Sequence, residues 1–185
     1  MGKRSNLKRI ARDFYQTPQA AVLPLLPHVP IGATFYEPCA GAGDLVSHLT
    51  GAGLKCVWAC DIEPQAESVD FGDAFAFYGR DADYIITNPP WERKTLHPLI
   101  EHLSDLLPTW LLFDSDWVHT RQSAPFMKRL VRIVSVGRVK WMPDSKMTGK
   151  DNCAWHLFDA SHDGPTCFYG RTELKILRLI LEETL

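Results

Sequence analysis

A short apolar run, Asp83-Tyr84-Ile85-Ile86-Thr87, leads directly into Asn88-Pro89-Pro90-Trp91. The run reads as a buried strand. Two successive prolines offer no backbone N–H to a neighbouring strand, so the strand must end there. The residue before a proline is driven toward extended backbone, which fixes how Asn88 is presented. A carboxamide, a rigid carbonyl on Pro89 and the broad face of Trp91 are thereby set together at a strand's C-terminal edge, where open α/β sheets bind ligands. An exocyclic amino group on a flat ring has two N–H donors, and the Asn88 side-chain oxygen and the Pro89 carbonyl are two acceptors able to take them. Drawing both hydrogens aside turns the nitrogen lone pair toward an electrophile. Trp91 can stack on the ring, a contact worth about 1–3 kcal/mol per base. The plainer reading is a strand end, a Pro-Pro turn and a Trp covering the core. The rest of the chain separates the two.

Upstream, Thr34-Phe35-Tyr36-Glu37 reads as a strand, followed by the turn Pro38-Cys39-Ala40-Gly41-Ala42-Gly43-Asp44 and a helix from Leu45 to Gly51. Strand, glycine-rich turn and helix form a nucleotide-binding arrangement in which glycines let the backbone approach a ligand. The turn lacks a third glycine at the dinucleotide position and the Lys-Ser/Thr ending of a phosphate loop. Glu37 at the strand end argues against pyrophosphate and for a ligand with a cationic or amino end. A second strand, Val57 to Cys60, ends in Asp61-Ile62-Glu63. Asp61 falls close to the place where an acid meets ribose hydroxyls in this architecture, and Ile62 suits an adenine face. Asp73 and Phe75 follow in Gly72-Asp73-Ala74-Phe75, as an acceptor for an adenine amino group and an apolar neighbour.

Elsewhere the pattern predicts a helix opening at Thr17-Pro18, as N-cap and first turn, and running toward Leu26. It predicts an amphipathic helix from Leu96 to Leu107, a continuous apolar strand from Pro108 to Phe113, and a helix from Ser123 to Val131. Strands follow at Arg132–Trp141 and Cys153–Phe158, joined by an exposed loop from Met142 to Asn152. An apolar helix at Arg171–Leu185 is either well buried or a subunit contact, so a homodimer through it is possible. Residues 1–12 read as a basic arm and 13–185 as one domain, a length that suits a single core.

No apolar run approaches a membrane span, and no signal peptide is expected. Five cysteines without framework spacing, Cys56 and Cys60 among them as strand thiols, point to a reducing cytoplasmic setting. No metal-ligand spacing and no nucleophilic triad is apparent. Net charge is −2, yet twelve of the twenty Lys and Arg residues fall in two segments. These are Lys3, Arg4, Lys8, Arg9 and Arg12 in the arm, and Lys128, Arg129, Arg132, Arg138, Lys140, Lys146 and Lys150 further on. Such stripes are a phosphate footprint or simply solvated charge.

The order Phe14-Tyr15-Gln16-Thr17-Pro18, Glu37 to Gly43, Asp61, Asp73 and Asn88-Pro89-Pro90-Trp91 resembles the S-adenosylmethionine-dependent DNA adenine-N6 methyltransferases, in particular the small phage and prophage forms. The resemblance spans about residues 13 to 158. It implies an α/β, Rossmann-like class I methyltransferase, with a single mostly parallel sheet flanked by helices and an antiparallel strand near the C-terminus. It also implies S-adenosyl-L-methionine as cofactor and DNA as partner. By that likeness Tyr15, Thr17, Glu37, Pro38, Cys39, Ala40, Gly41 and Gly43 hold the methionine end, and Asp61, Ile62, Asp73 and Phe75 the adenosine. Asn88, Pro89, Pro90 and Trp91 bind the target amino group and base. Trp141 supplies a second aromatic, and Lys140, Lys146 and Lys150 meet phosphates. Little room remains for a separate target-recognition domain, which implies short or absent sequence specificity. Three other readings share these features: methylation of an RNA base, methylation of a protein glutamine amide, and a non-catalytic binding module on the same fold.

Overall fold

The computed structural model describes residues 15–79, 81–142 and 148–173. Eight strands form one sheet: β1 (Thr34–Glu37), β2 (Lys55–Asp61), β3 (Asp70–Phe71), β4 (Tyr84–Thr87), β5 (Thr109–Asp114), β6 (Leu130–Arg138), β7 (Asn152–Phe158) and β8 (Cys167–Tyr169). Their spatial order is β3-β2-β1-β4-β5-β7-β6-β8. β1 to β5 run parallel. β7 is wedged antiparallel between β5 and β6, and β8 lies parallel to β6 at the far edge. The expected sheet, mostly parallel with an antiparallel strand near the C-terminus, is therefore present. The reversal between β1 and β4 opens a crevice at the C-terminal strand ends.

Helices α1 (Gln19–Val22), α2 (Asp44–Gly51) and α3 (Arg93–Ser104) cover the sheet. The period-two alternation of the central strands sorts their side chains onto two cores. Ile86, Trp110, Leu112 and Trp155 face one side with Leu45 and Leu49 of α2. Ile85, Leu111, Phe113 and Phe158 face the other with Leu99 and Leu103 of α3. Burial on both faces explains why β5 reads as an unbroken apolar run.

Three local expectations are corrected. Thr17 does not cap a helix: the first helical residue is Gln19, the N-cap is Pro18, and no side chain caps it. That helix ends at Val22, before Pro24, with a separate 3-10 turn at Leu26–His28. The segment expected as a helix from Ser123 is a 3-10 stretch, Arg121–Arg129, with Pro125 inside it. Proline has no N–H for the bond an α-helix needs there. Finally, β8 carried no recognisable pattern, because its three residues are all exposed and lie at the sheet edge. The basic arm at 1–12 and nearly all of the C-terminal segment, with the homodimer expectation tied to it, lie outside the described residues.

Candidate active site

The loop after β1 turns sharply into α2. Gly41 and Gly43 both have positive φ, 55° and 83°, and Gly43 is the left-handed N-cap of α2. Such backbone is strained for any residue with a Cβ, so the Gly-x-Gly spacing is a conformational requirement. Asp61 fastens this loop to β2. One carboxylate oxygen accepts from the Gly41 N–H at 2.9 Å and the other from the Glu63 N–H at 2.8 Å. The Gly41 carbonyl in turn accepts from the Gln65 N–H at 2.9 Å.

Beneath the loop lies Glu37, only 1% exposed. Its Oε2 has no hydrogen-bond partner among the described residues. Burial raises its carboxyl well above the usual range, and the neighbouring charges of Asp61 and Asp44 push the same way. Burial first, then Asp61, also drives the Cys39 thiol upward, which leaves it protonated and unreactive at neutral pH.

These groups line a cavity of about 680 Å³. Tyr15, Thr17, Glu37, Pro38, Cys39, Ala40, Gly41, Asp61, Ile62, Asp73, Phe75, Asn88 and Pro90 all border it. A volume of this size suits a ligand as large as a nucleoside derivative. At one end Asp73 accepts from the Phe75 N–H at 2.9 Å and so holds the turn that presents Phe75. Ile62 and Phe75, 54% and 38% exposed, border the cavity with apolar faces open to a flat ligand. Gly43, Pro89 and Trp91 stand outside this lining.

The other end is built on Asn88. Its Nδ2 donates to Thr17 Oγ1 at 3.1 Å and lies 3.5 Å from the Tyr15 carbonyl. Its Oδ1 accepts from the Trp91 indole N–H at 3.3 Å, and the same N–H donates to the Leu112 carbonyl at 3.0 Å. Trp91 is therefore pinned to the core of the sheet instead of hanging free. Trp141 stands nearly perpendicular to it, with ring centroids 5.7 Å apart, and lies 6.2 Å from the Tyr15 ring. The hairpin between β6 and β7 brings Trp141 there, and Gly149 makes room for it. A Cβ on Gly149 would fall 3.1 Å from the Trp141 ring.

Lys140 and Lys150 flank this hairpin, both exposed, while Lys146 lies outside the described residues. Arg129 and Arg132 of the basic stripe make contacts within the described structure. Arg129 pairs with Asp105 at 2.7 Å, and Arg132 lies over the Tyr169 ring at 5.3 Å. They hold structure together and drop out of the expected footprint. The sequence reading also missed Glu92, Thr95 and Leu99, which line the cavity from the start of α3. Their spacing, one helix face directly after Trp91, was the available signal.

No family model matches the chain, and no curated protein matches its sequence. Similarity appears at the level of structure. One neighbour is a Listeria monocytogenes protein described as a class I S-adenosylmethionine-dependent methyltransferase, with a TM-score of 0.61, 11% identity, and coverage of 96% of this chain and 72% of that one. A Pyrococcus horikoshii protein described as an RNA methyltransferase matches with a TM-score of 0.56 at 17% identity, over 85% of this chain and 92% of the other. The methyltransferase subunit of a Streptococcus thermophilus type I restriction-modification system matches with a TM-score of 0.56 at 8% identity. There the alignment covers 91% of this chain and 52% of the subunit. The fold is that of the Rossmann-like class I methyltransferases.

Proposed function

We propose that this chain is an S-adenosylmethionine-dependent methyltransferase acting on the N6 amino group of adenine in DNA, with short or absent sequence specificity. The observation that carries this reading is that one cavity is bordered both by the Glu37–Gly41–Asp61 end and by Asn88-Pro90. A methyl donor and an amino acceptor would share it.

The residues present fit the cofactor. The unpartnered Oε2 of buried Glu37 is a place for an α-ammonium group, which would also relieve the cost of burying that carboxylate. Asp61 retains lone pairs for ribose hydroxyls beyond those given to Gly41 and Glu63. Ile62 and Phe75 offer apolar faces to an adenine, and Asp73 an acceptor for its amino group. Tyr15 and the backbone through Thr17 border the methionine end. When bound, S-adenosylmethionine supplies an electrophilic methyl on a sulfonium, so the chain need provide no nucleophile of its own. Asn88 and the Pro89 carbonyl accept the two N–H bonds of the target amine and orient its lone pair; the remaining contribution is positioning.

A duplex base must leave its stack to reach Asn88, at a cost of about a few kcal/mol. Trp91 and Trp141 offer surfaces to receive it. Lys140, Lys146, Lys150 and the basic arm would hold phosphates, which implies binding that weakens with salt. RNA is the second reading, favoured by the match to nearly the full length of the Pyrococcus horikoshii protein.

The test is transfer of labelled methyl from S-adenosylmethionine to unmethylated duplex DNA, followed by nucleoside mass spectrometry. N6-methyladenine is the expected product. Label in RNA alone would move the reading to RNA. Absence of cofactor binding would leave a non-catalytic module.

A further inference from the structure

We infer that Thr17 is a positioning residue that fixes which atom of the Asn88 carboxamide meets the target amine. The inference rests on the amino-methylation reading above and assigns a role to a hydroxyl expected to cap a helix or touch the cofactor.

A carboxamide is nearly symmetric in shape, and its terminal torsion has two wells of similar depth. In one, Oδ1 is available to an incoming N–H. In the other, the NH2 group faces it, donor against donor, and binding is opposed. Something must choose between them, and the surroundings of Asn88 do so from both sides. An indole N–H can only donate. Trp91 therefore requires oxygen on its side, at 3.3 Å. Thr17 Oγ1 sits on the opposite side and accepts from Nδ2 at 3.1 Å, with the Tyr15 carbonyl at 3.5 Å beyond it. Both N–H bonds of the carboxamide point inward to the Tyr15–Thr17 segment, and one lone pair of Oδ1 remains after Trp91 has taken the other. Thr17 is 5% exposed, so water does not readily replace it.

The segment carrying Thr17 also borders the cavity that Ile62 and Phe75 line. A ligand that orders Tyr15–Thr17 orders the acceptor at the same time. Cofactor and target amine would then be coupled through the bonds from Asn88 Nδ2 to the Tyr15–Thr17 segment, and such a coupling acts equally in both directions.

The experiment compares Thr17→Val, which keeps shape but removes the hydroxyl, with Thr17→Ser, which restores it. Methyl transfer by Thr17→Val at saturating cofactor should fall about 100-fold in kcat, as expected for a misoriented reacting group. Its affinity for S-adenosylmethionine should change by less than about threefold, and Thr17→Ser should recover most of the rate. A second readout needs no turnover. In the 15N spectrum the Asn88 side-chain NH2 pair, identified by its loss in Asn88→Asp, should be protected from solvent exchange in the wild type and lose that protection in Thr17→Val. An unchanged kcat, a loss of rate explained by cofactor affinity alone, or an NH2 pair indifferent to the substitution would each overturn the inference. A wild-type protein that binds cofactor but methylates neither DNA nor RNA would overturn the proposed function instead, while the NH2 pair still reports whether Thr17 holds the carboxamide.

Discussion

The Trp91 indole N–H is shared between two acceptors, the Leu112 backbone carbonyl at 3.0 Å and the Asn88 side-chain oxygen at 3.3 Å. It joins a strand of the sheet to the group proposed to bind the target amine. Trp91→Phe keeps an aromatic face but removes the donor. The Leu112 carbonyl then loses a partner, at a cost of about 1–3 kcal/mol if it stays buried. Thermal unfolding should register that loss, and methyl transfer should fall by more than the stability change explains, because Asn88 is no longer held from that side.

Asp61→Ala removes the two hydrogen bonds its carboxylate accepts from backbone, from Gly41 in the glycine loop and from Glu63 after β2. Affinity for S-adenosylmethionine, read by calorimetry, should drop at least about tenfold, equivalent to about 1.4 kcal/mol. Asn88→Ala should do the reverse, abolishing transfer while cofactor binding survives. Equal effects of the two substitutions on both quantities would contradict the division of the cavity into two ends.

Glu37→Gln should stabilise the free protein and weaken its cofactor binding. A carboxyl whose pKa is raised by folding contributes stability that is complete below its unfolded value of 4.5 and is lost progressively as pH rises from there through its raised folded value. Over that range the folded chain must hold a proton that the unfolded chain releases, and at higher pH it must bury a charge, costs that the amide does not carry. Melting temperature at pH 7 to 8 should rise for the variant, and its affinity for S-adenosylmethionine should fall.

His156 gives the opposite pH dependence. It is fully buried and stacked on Phe113 at 3.9 Å, and desolvation lowers its pKa to about 3. The unfolded chain binds a proton near 6.5 that the folded chain refuses. Its contribution is therefore complete above pH 6.5 and is lost as pH falls from there toward about 3. The slope is about 1.4 kcal/mol per pH unit, or about 2 kcal/mol at pH 5. His156→Phe should flatten this part of a denaturation-versus-pH series.

Lys140→Ala and Lys150→Ala should each weaken nucleic-acid binding and reduce the slope of log affinity against log salt by about one. Arg129→Ala should leave that slope unchanged, since its charge is spent on Asp105, and should instead lower stability.

Much of the fold was legible because its signals are local and strong. Ile85 and Ile86 before two prolines mark a strand end, and Gly41 and Gly43 mark a turn that needs positive φ. What escaped the sequence depended on distance along the chain. Thr17 followed by Pro18 is a good capping pair by its own chemistry, yet its hydroxyl meets Asn88, 71 residues away. No periodicity encodes such a contact. The same holds for Arg129 and Arg132, whose charges looked available until Asp105 and Tyr169 were brought to them by folding. Short exposed β8 offered no apolar alternation to read.

Because β7 lies antiparallel between β5 and β6, the hairpin joining β6 to β7 emerges on the same side as the cavity. The Gly149 N–H donates to the Val139 carbonyl at 2.7 Å and closes the neck of that hairpin. The pairing of β6 with β7 ends at Arg138 and Asn152, so a substitution at Trp141 would alter its ring contacts with Trp91 and Tyr15 and leave that pairing in place. Under the function proposed above, a change of target would be sought in this hairpin, while the groups proposed to direct methyl transfer stay on the parallel half of the sheet.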